Sequence, residues 1–156
     1  MPPVAGIASA TRFAATPSHG FTAEISRALS ILVELDSATI QRGISTTARV
    51  KIQNTGAGHH VPTGSPYKAY IITVSLTDIN GTELAPSHVE RLERKVSNEA
   101  PYNTVSDNRI PAGGEHQLLA EFLVNQSKKA GPVRLTVRVG RDSSAPILQS
   151  IPLELL

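Results

Sequence analysis

Apolar and polar residues alternate with a period of two along much of the chain, and this alternation predicts β-strands. The clearest run is Val133–Val139, in which the four apolar residues Val133, Leu135, Val137 and Val139 all face one way. Turn residues separate such runs, for example Asn80-Gly81, a pair that favours a hairpin turn. The pattern therefore predicts roughly seven to eight short strands and hardly any helix. The other predicted strands are 29–35, 45–54, 70–77, 117–124 and 147–155.

This alternation is typical of antiparallel sheets that have one face in water and one face buried. Two such sheets must cover each other, so the sequence predicts an all-β fold, an immunoglobulin-like antiparallel β-sandwich. The chain lacks the Cys-Trp-Cys pattern of true immunoglobulin domains, because it has no cysteine and no tryptophan. The predicted core between the sheets consists of Ile31, Val33, Val50, Ile52, Ile72, Val74, Leu76, Leu135, Val137 and Val139.

The remaining segments give weaker patterns. Residues 1–20 are rich in Pro, Ala, Ser and Thr and are predicted to be an extended leader, which leaves 21–156 as the sandwich domain. Residues 22–29 are predicted to form a short helical turn, with Ile25 and Leu29 at helical spacing. The charged stretch 83–96 is interpreted as either an edge strand or a short helix, and 97–108 as a long polar loop. The last strand contains Pro152, which favours an edge position.

Composition excludes several classes of function. A length of 156 residues indicates one domain, and 40% hydrophobic residues indicate a globular one. A net charge of +2 with only 4% aromatics argues against nucleic acid as a partner. No apolar run approaches the roughly 20 residues that cross a bilayer, so the chain is predicted not to be transmembrane. The absence of cysteine excludes disulfides, thiolate metal sites and cysteine nucleophiles.

No arrangement of residues indicates catalysis. There is no Gly-x-Ser-x-Gly elbow, and Gly64-Ser65-Pro66 has the composition of a turn. Acidic residues such as Glu90 and Glu93 lie in a mixed-charge segment and are interpreted as a solvated face. No pair of carboxylates lies in an apolar setting that would raise a pKa. The chain is therefore predicted to be no enzyme and to have no catalytic residue.

The chemically distinctive stretch is Asn54–Pro66, which contains three glycines, two prolines and the adjacent His59 and His60. Glycine and proline at this density predict a tight, irregular loop in which at least one glycine has a positive φ. Neighbouring residues on extended backbone point to opposite sides, so the two histidines are not expected to ligate one metal together. The loop residues assigned a structural role are Asn54, Gly56, Gly58, Pro62, Thr63 and Gly64.

The other histidines, His19, His88 and His116, show no spacing that indicates a metal site, and they are interpreted as separate surface residues. No metal site is therefore predicted. For His59 itself, the structural interpretation is a ring that packs against the Pro62–Gly64 turn and hydrogen-bonds backbone amides. Its functional interpretation comes from a resemblance to a known family.

The run Asn54-Thr-Gly-Ala-Gly-His-His-Val-Pro-Thr-Gly64 resembles the Asn-x-Gly-Ala-Gly-His-x-x-Pro-Thr-Gly signature of a β-sandwich domain at the C-terminal ends of certain multihaem c-type cytochromes. Phe21–Leu35 and Asp107–Gly114 resemble other parts of that domain, so the resemblance spans roughly residues 18 to 139. This chain departs from the cytochromes in having no Cys-x-x-Cys-His motif, and it therefore carries no covalently bound haem. His59 matches the histidine of the signature, and the resemblance implies a role as axial ligand to the haem of a partner chain.

Three functions are compatible with these observations. The first is a non-catalytic binding, scaffold or assembly module of an exported redox complex; the resemblance implies a periplasmic or cell-surface location and a cytochrome, another redox subunit or a second copy as partner. The alternative is a haem- or copper-handling protein that uses His59 or His60 as ligand. The third is a carbohydrate or adhesion module, against which the lack of tryptophan counts.

Overall fold

The computed structural model describes residues 25–65, 67–142 and 144–156, which form two β-sheets with an apolar core between them. The fold is an all-β, immunoglobulin-like sandwich, as predicted. The predicted leader and Pro66 lie outside the described residues. In chain order the elements are α1 (Ile25–Ala28), β1 (Leu29–Leu35), β2 (Thr39–Ile40), β3 (Ser45–Asn54), β4 (Ala69–Asp78), β5 (His88–Val96), β6 (Thr104–Asp107), β7 (Glu115–Leu123), β8 (Gly131–Gly140) and β9 (Ile147–Leu155).

The smaller sheet has three antiparallel strands in the order β1-β3-β7. Val50 in the central strand lies opposite Val33 of β1 and Leu118 of β7, so one layer of apolar residues crosses the sheet. Alternate residues of β3, Ala48, Val50 and Ile52, are buried, while the residues between them are exposed or partly buried. The period of two read from the sequence thus corresponds to a one-sided sheet.

The larger sheet has six strands in the order β2-β9-β8-β4-β5-β6. Its pairs are antiparallel except for the two-residue parallel contact of β2 with β9. β4 and β8 form its centre, where Val74 lies opposite Val137 and Leu76 opposite Leu135. These side chains point at the smaller sheet and form the middle of the core.

The predicted core is confirmed in its central part. All the predicted core residues are fully buried except Ile31 and Val33, which are partly buried and pack against the core from β1. Their partial exposure follows from position, because β1 is an edge strand. Each fully buried Val, Leu or Ile side chain contributes roughly 1.5–3 kcal/mol of transfer free energy. Aliphatic side chains therefore supply most of the core that holds the two sheets together.

The structure corrects two segments. Residues 88–96 form β5, which is neither a helix nor an edge, because β4 pairs with one side of it and β6 with the other. The stretch interpreted as a long loop contains β6. All four residues of β6 are exposed, so no burial pattern marks it as a strand. The described residues form nine strands, whereas seven to eight were predicted; β6 and the two-residue β2 are the ones that were not predicted.

The two ends of the described chain agree with the patterns. The helical turn predicted for residues 22–29 is confirmed for Ile25–Ala28, which form α1 and lead directly into β1, while residues 22–24 lie outside the described residues. β9 pairs with β8 along most of its length but with β2 only at Glu154 and Leu155. At Pro152, the edge of β9 that faces away from β8 therefore has no strand partner among the described residues. No helix in the described part of the chain has the length and apolar character that crossing a membrane requires.

Candidate functional site

Residues 54–65, called here the histidine loop, are organised by the side chain of Asn54 at the end of β3. Asn54 is only 1% exposed. Its Oδ1 accepts a hydrogen bond from the Ala57 N–H at 3.0 Å, and its Nδ2 donates to the carbonyl oxygens of His59 at 2.7 Å and Ile110 at 3.3 Å. The backbone of Asn54 is bonded to Gly113 and Gly114 as well. One buried side chain thus fixes the course of the loop toward the histidines.

The start of the loop is tied to α1. The N–H groups of Thr55 and Gly56 both donate to the carbonyl oxygen of Ala28, at 3.0 and 3.1 Å. A Cβ atom at Gly56 would overlap the carbonyl oxygen of Arg27, so only glycine fits here without a backbone shift. The predicted structural role of Gly56 therefore has a steric cause. Gly58, by contrast, has open space where a Cβ would stand.

The end of the loop is tied to the segment before β7. Val61 and Ile110 form an isolated antiparallel bridge, with N–H to oxygen distances of 2.8 and 2.9 Å, and both residues are buried. Pro62 is also buried. Gly64 has a φ of 97°, which confirms the prediction that one loop glycine occupies the left-handed region. The exposed residues between the two anchors are Gly58, His59 and His60.

His59 is exposed, and its Nδ1 lies 3.0 Å from the carbonyl oxygen of His60. A carbonyl oxygen can only accept a hydrogen bond, so Nδ1 carries the proton in this contact. The neutral ring then has its lone pair on Nε2, the nitrogen that is available to a ligand or a metal. The ring bonds to a carbonyl beside the Pro62–Gly64 turn and not to the amides of that turn, so the structural interpretation of His59 is corrected in this detail.

His60 lies near an ion pair formed by Asp107 and Arg109. Arg109 donates from Nε to Oδ1 at 2.8 Å and from Nη2 to Oδ2 at 2.6 Å, a two-pronged pairing. These side-chain hydrogen bonds lower the pKa of Asp107 to about 2, with a smaller favourable contribution from the charge of His60. A negative carboxylate, held by a guanidinium, therefore lies near the exposed His60. No spacing in the sequence predicted this ion pair.

His116 is not the separate surface residue that the sequence suggested. Its Nε2 lies 2.9 Å from Oε1 of Glu90, and both side chains are largely covered, at 17% and 33% exposure. His116 belongs to β7 and Glu90 to β5, so the contact joins the two sheets. Glu90 consequently does not belong to a solvated face. The pairing could not be predicted, because it depends on which strands of the two sheets lie opposite each other.

In residues 25–65, 67–142 and 144–156, no three His, Asp or Glu side chains gather in a way that could hold a metal ion. His19 lies outside this part of the chain, and His88 is the first residue of β5 and does not belong to the histidine loop. What the site offers is one fixed imidazole with an open nitrogen. A single imidazole can supply one ligand to a metal and does not make a complete metal site.

The comparisons with known proteins concern the fold. No protein-family model matches the chain, and no curated protein sequence matches it. Residues of the chain superpose on part of the alkylpurine DNA glycosylase AlkC from Pseudomonas fluorescens, bound to DNA containing an abasic site analogue, with 15% identity, a TM-score of 0.50, and coverage of 83% of this chain and 30% of the glycosylase.

Two further solved structures are similar at lower scores. One is a CARDB domain from Pyrococcus furiosus in complex with di-metal ions, with 13% identity, a TM-score of 0.48, and coverage of 82% of this chain and 87% of that domain. The other is a β-glucosidase from Listeria innocua in complex with isofagomine, with 16% identity, a TM-score of 0.42, and coverage of 81% and 16%. The chain thus spans under a third of the glycosylase and a sixth of the glucosidase. At these identities the likeness concerns the sandwich fold alone.

Proposed function

We propose that this chain is a non-catalytic binding module that docks on a protein partner through the histidine loop. The observation that supports this proposal is the triple anchoring of the loop by Asn54, by Ala28 and by the Val61–Ile110 bridge. A loop that is already ordered loses little conformational entropy on binding, so its exposed residues bind a partner at low cost. His59 and His60 are the side chains that such a loop presents.

The partner in this proposal is a multihaem cytochrome, or another redox subunit, of a complex outside the cytoplasm. Two observations support it: the resemblance of residues 54–64 to the cytochrome-associated signature, and the open Nε2 of His59. Histidines that bind metals almost always donate their other ring N–H to a carbonyl, a carboxylate or water, as His59 does here. The haem would belong to the partner, because this chain has no cysteine to attach one.

Purification of the chain from its native source tests the proposal. After mild cross-linking, the captured proteins are separated under denaturing conditions and stained for covalently bound haem. We expect a haem-positive band with the wild-type chain and its loss with a double variant, His59→Ala with His60→Ala. The same variant must keep the wild-type unfolding temperature. A haem-positive band of equal intensity in the folded double variant would contradict docking through the histidine loop.

A second candidate function is direct ligation of haem iron or copper, and the hydrogen bond from His59 Nδ1 favours it because it leaves Nε2 free. A haem peptide with one open axial position is a suitable probe for iron. Titration should convert its spectrum to the six-coordinate low-spin form with wild-type chain and with His60→Ala, but not with His59→Ala. If all three proteins give the same spectra, His59 is not a ligand. A parallel titration with copper ions distinguishes a copper-handling role.

A further inference from the structure

The outer face of the six-stranded sheet carries a groove of about 340 Å³, lined by polar and apolar residues, which shares no residue with the histidine loop. Its floor is formed by outward-facing residues of β4 and β8, which lie side by side in register: Ser75 opposite Thr136, Thr73 opposite Arg138, and Thr77 opposite Arg134. This volume lies in the range of small-molecule sites. The residues that line the groove are Thr73, Ser75, Thr77, Asp78, Ile79, Gly81, Glu83, Arg134, Thr136, Arg138 and Ile147.

The floor contains two hydroxyl residues that are buried although they lie on the outer face. Ser75 is 8% exposed and Thr136 is 6% exposed. Ser75 Oγ is hydrogen-bonded to Ser87 Oγ at 2.7 Å, and Ser87 donates to Oε1 of Glu83 at 2.6 Å. Thr136, in contrast, has no hydrogen-bond partner among the residues that the structure describes. Thr136 is largely buried as a residue, but its unpartnered hydroxyl group still reaches the groove, where it is available to a ligand.

The charges around Thr136 favour an anionic ligand. Arg134 and Arg138 flank Thr136 on the same face of β8, two residues away in each direction. Arg138 is oriented by a hydrogen bond from Nη1 to the carbonyl oxygen of Ala145 at 2.6 Å. Arg134 forms no hydrogen bond or ion pair within the described chain. A guanidinium offers five N–H donors and no acceptor, so the hydrogen-bonding groups that Arg134 presents to the groove are all donors.

The two acidic residues that line the groove, Asp78 and Glu83, lie at the same end as Arg134, but each is held by other hydrogen bonds. Glu83 accepts the hydrogen bond from Ser87, and Asp78 accepts from the backbone N–H groups of Asn80 and Thr82, both within the β4 turn. These backbone bonds lower the pKa of Asp78 and keep its charge engaged in the turn. Neither carboxylate forms an ion pair with Arg134. The guanidinium of Arg134 therefore remains without an ion-pair partner among the described residues.

We propose that this groove binds the oxyanion group of a small molecule, with Arg134 as the principal cation, Thr136 as a hydroxyl donor and Arg138 as the oriented second cation. Guanidinium groups match the geometry of both carboxylate and phosphate oxygens. Residues at alternate positions of a strand lie about 6.6 Å apart, so both arginines can reach a group seated above Thr136. Succinate and inorganic phosphate are therefore the two probes that distinguish the sources of this chemistry.

The test is a titration of isotope-labelled full-length chain with each probe at constant ionic strength, followed by backbone amide shifts. We expect saturable shifts around residues 73–77 and 134–138 with at least one probe, and a weakening of binding by at least about tenfold in Arg134→Gln and Thr136→Val. Arg49→Gln is the matched control, because Arg49 is exposed on the outer face of the other sheet. It should bind as the wild type does, and glucose, a neutral probe, should cause no shift.

Three outcomes would overturn the proposal. One is the absence of saturable shifts with both probes up to about 20 mM, because a dissociation constant above that concentration is weaker than the millimolar range. Another is wild-type binding by Arg134→Gln when that variant retains the wild-type unfolding temperature. The third is a set of shifts that maps to residues outside the groove, or that glucose reproduces. The titration does not involve the histidine loop, so its result is independent of the proposed docking function.

Discussion

Replacement of Asn54 by alanine would remove the side chain that organises the histidine loop. Three hydrogen bonds would be lost, but their costs differ. The carbonyl oxygen of Ile110 would still accept the N–H of Val61 at 2.8 Å, and its bond to Asn54 is long, at 3.3 Å. The Ala57 N–H and the His59 carbonyl oxygen would lose the short bonds of 3.0 and 2.7 Å. At about 0.5–1.5 kcal/mol for each of these two short bonds, the expected loss of unfolding free energy is about 1–3 kcal/mol.

Asn54→Asp tests the same site with almost no change of shape. Oδ1 can still accept from Ala57, but the donor that faces the carbonyl oxygens of His59 and Ile110 becomes an anionic oxygen. Only the protonated carboxyl can donate there, so we expect its pKa to be raised in the folded state. A raised folded pKa means that the variant is most stable below the unfolded pKa and loses stability as pH rises through the folded pKa.

Urea denaturation gives the unfolding free energies of both variants, provided that the slope of free energy against urea concentration is the same for each protein. Asn125→Ala is a suitable control, because Asn125 makes one exposed hydrogen bond, to the Ser127 N–H. It should lose less than about 1 kcal/mol. The reasoning fails if Asn54→Ala loses no more stability than this control, or if Asn54→Asp shows the same pH dependence as the wild type between pH 4 and 7.

Two further predictions concern the surroundings of the loop. Gly56→Ala should lower the unfolding free energy by about 1–3 kcal/mol because its Cβ overlaps the Arg27 carbonyl, whereas Gly58→Ala should stay within about 0.5 kcal/mol; equal thermal denaturation of the two variants would contradict the steric reasoning. Asp107 has a pKa of about 2 against an ordinary value of 3.8, so its pairing with Arg109 should stabilise the fold above pH 4 and be lost as pH falls toward 2. Asp107→Asn should flatten that acid dependence by less than about 1 kcal/mol in acid titrations of stability, and an unchanged slope would show that the pair contributes nothing.

The sequence predicted those elements whose residues bury one face. β3 and β9 have the predicted bounds, 45–54 and 147–155, and α1 lies within the predicted helical turn. Alternation is informative there because burial selects one residue type on each side. β6 was missed for the converse reason: none of its residues is buried, and it is held through backbone pairing with β5. A strand of that kind has no hydrophobic signature to read.

The site could be predicted only as far as its local chemistry. The glycine and proline content of residues 54–66 indicated an irregular loop with a positive φ, and Gly64 has one. The Val61–Ile110 bridge and the bond from Asn54 to Ile110 join residues about 50 positions apart in the chain, and no local pattern encodes them. The same holds for His116 and Glu90, which meet only because β7 and β5 belong to facing sheets.

The position of Asn54 explains how a strand of the core can control an exposed histidine. Asn54 is the last residue of β3, so its backbone pairs with the segment before β7 while its side chain turns into the loop and holds the carbonyl oxygen of His59. The backbone of His59 is thereby fixed to the sandwich, and the His60 carbonyl that orients its ring is fixed by the Val61 bridge that follows directly. Asn54 and Val61 are in turn hydrogen-bonded to Gly113, Gly114 and Ile110 of the segment before β7, outside the loop. The β-sandwich therefore positions the backbone from which the exposed His59 side chain extends.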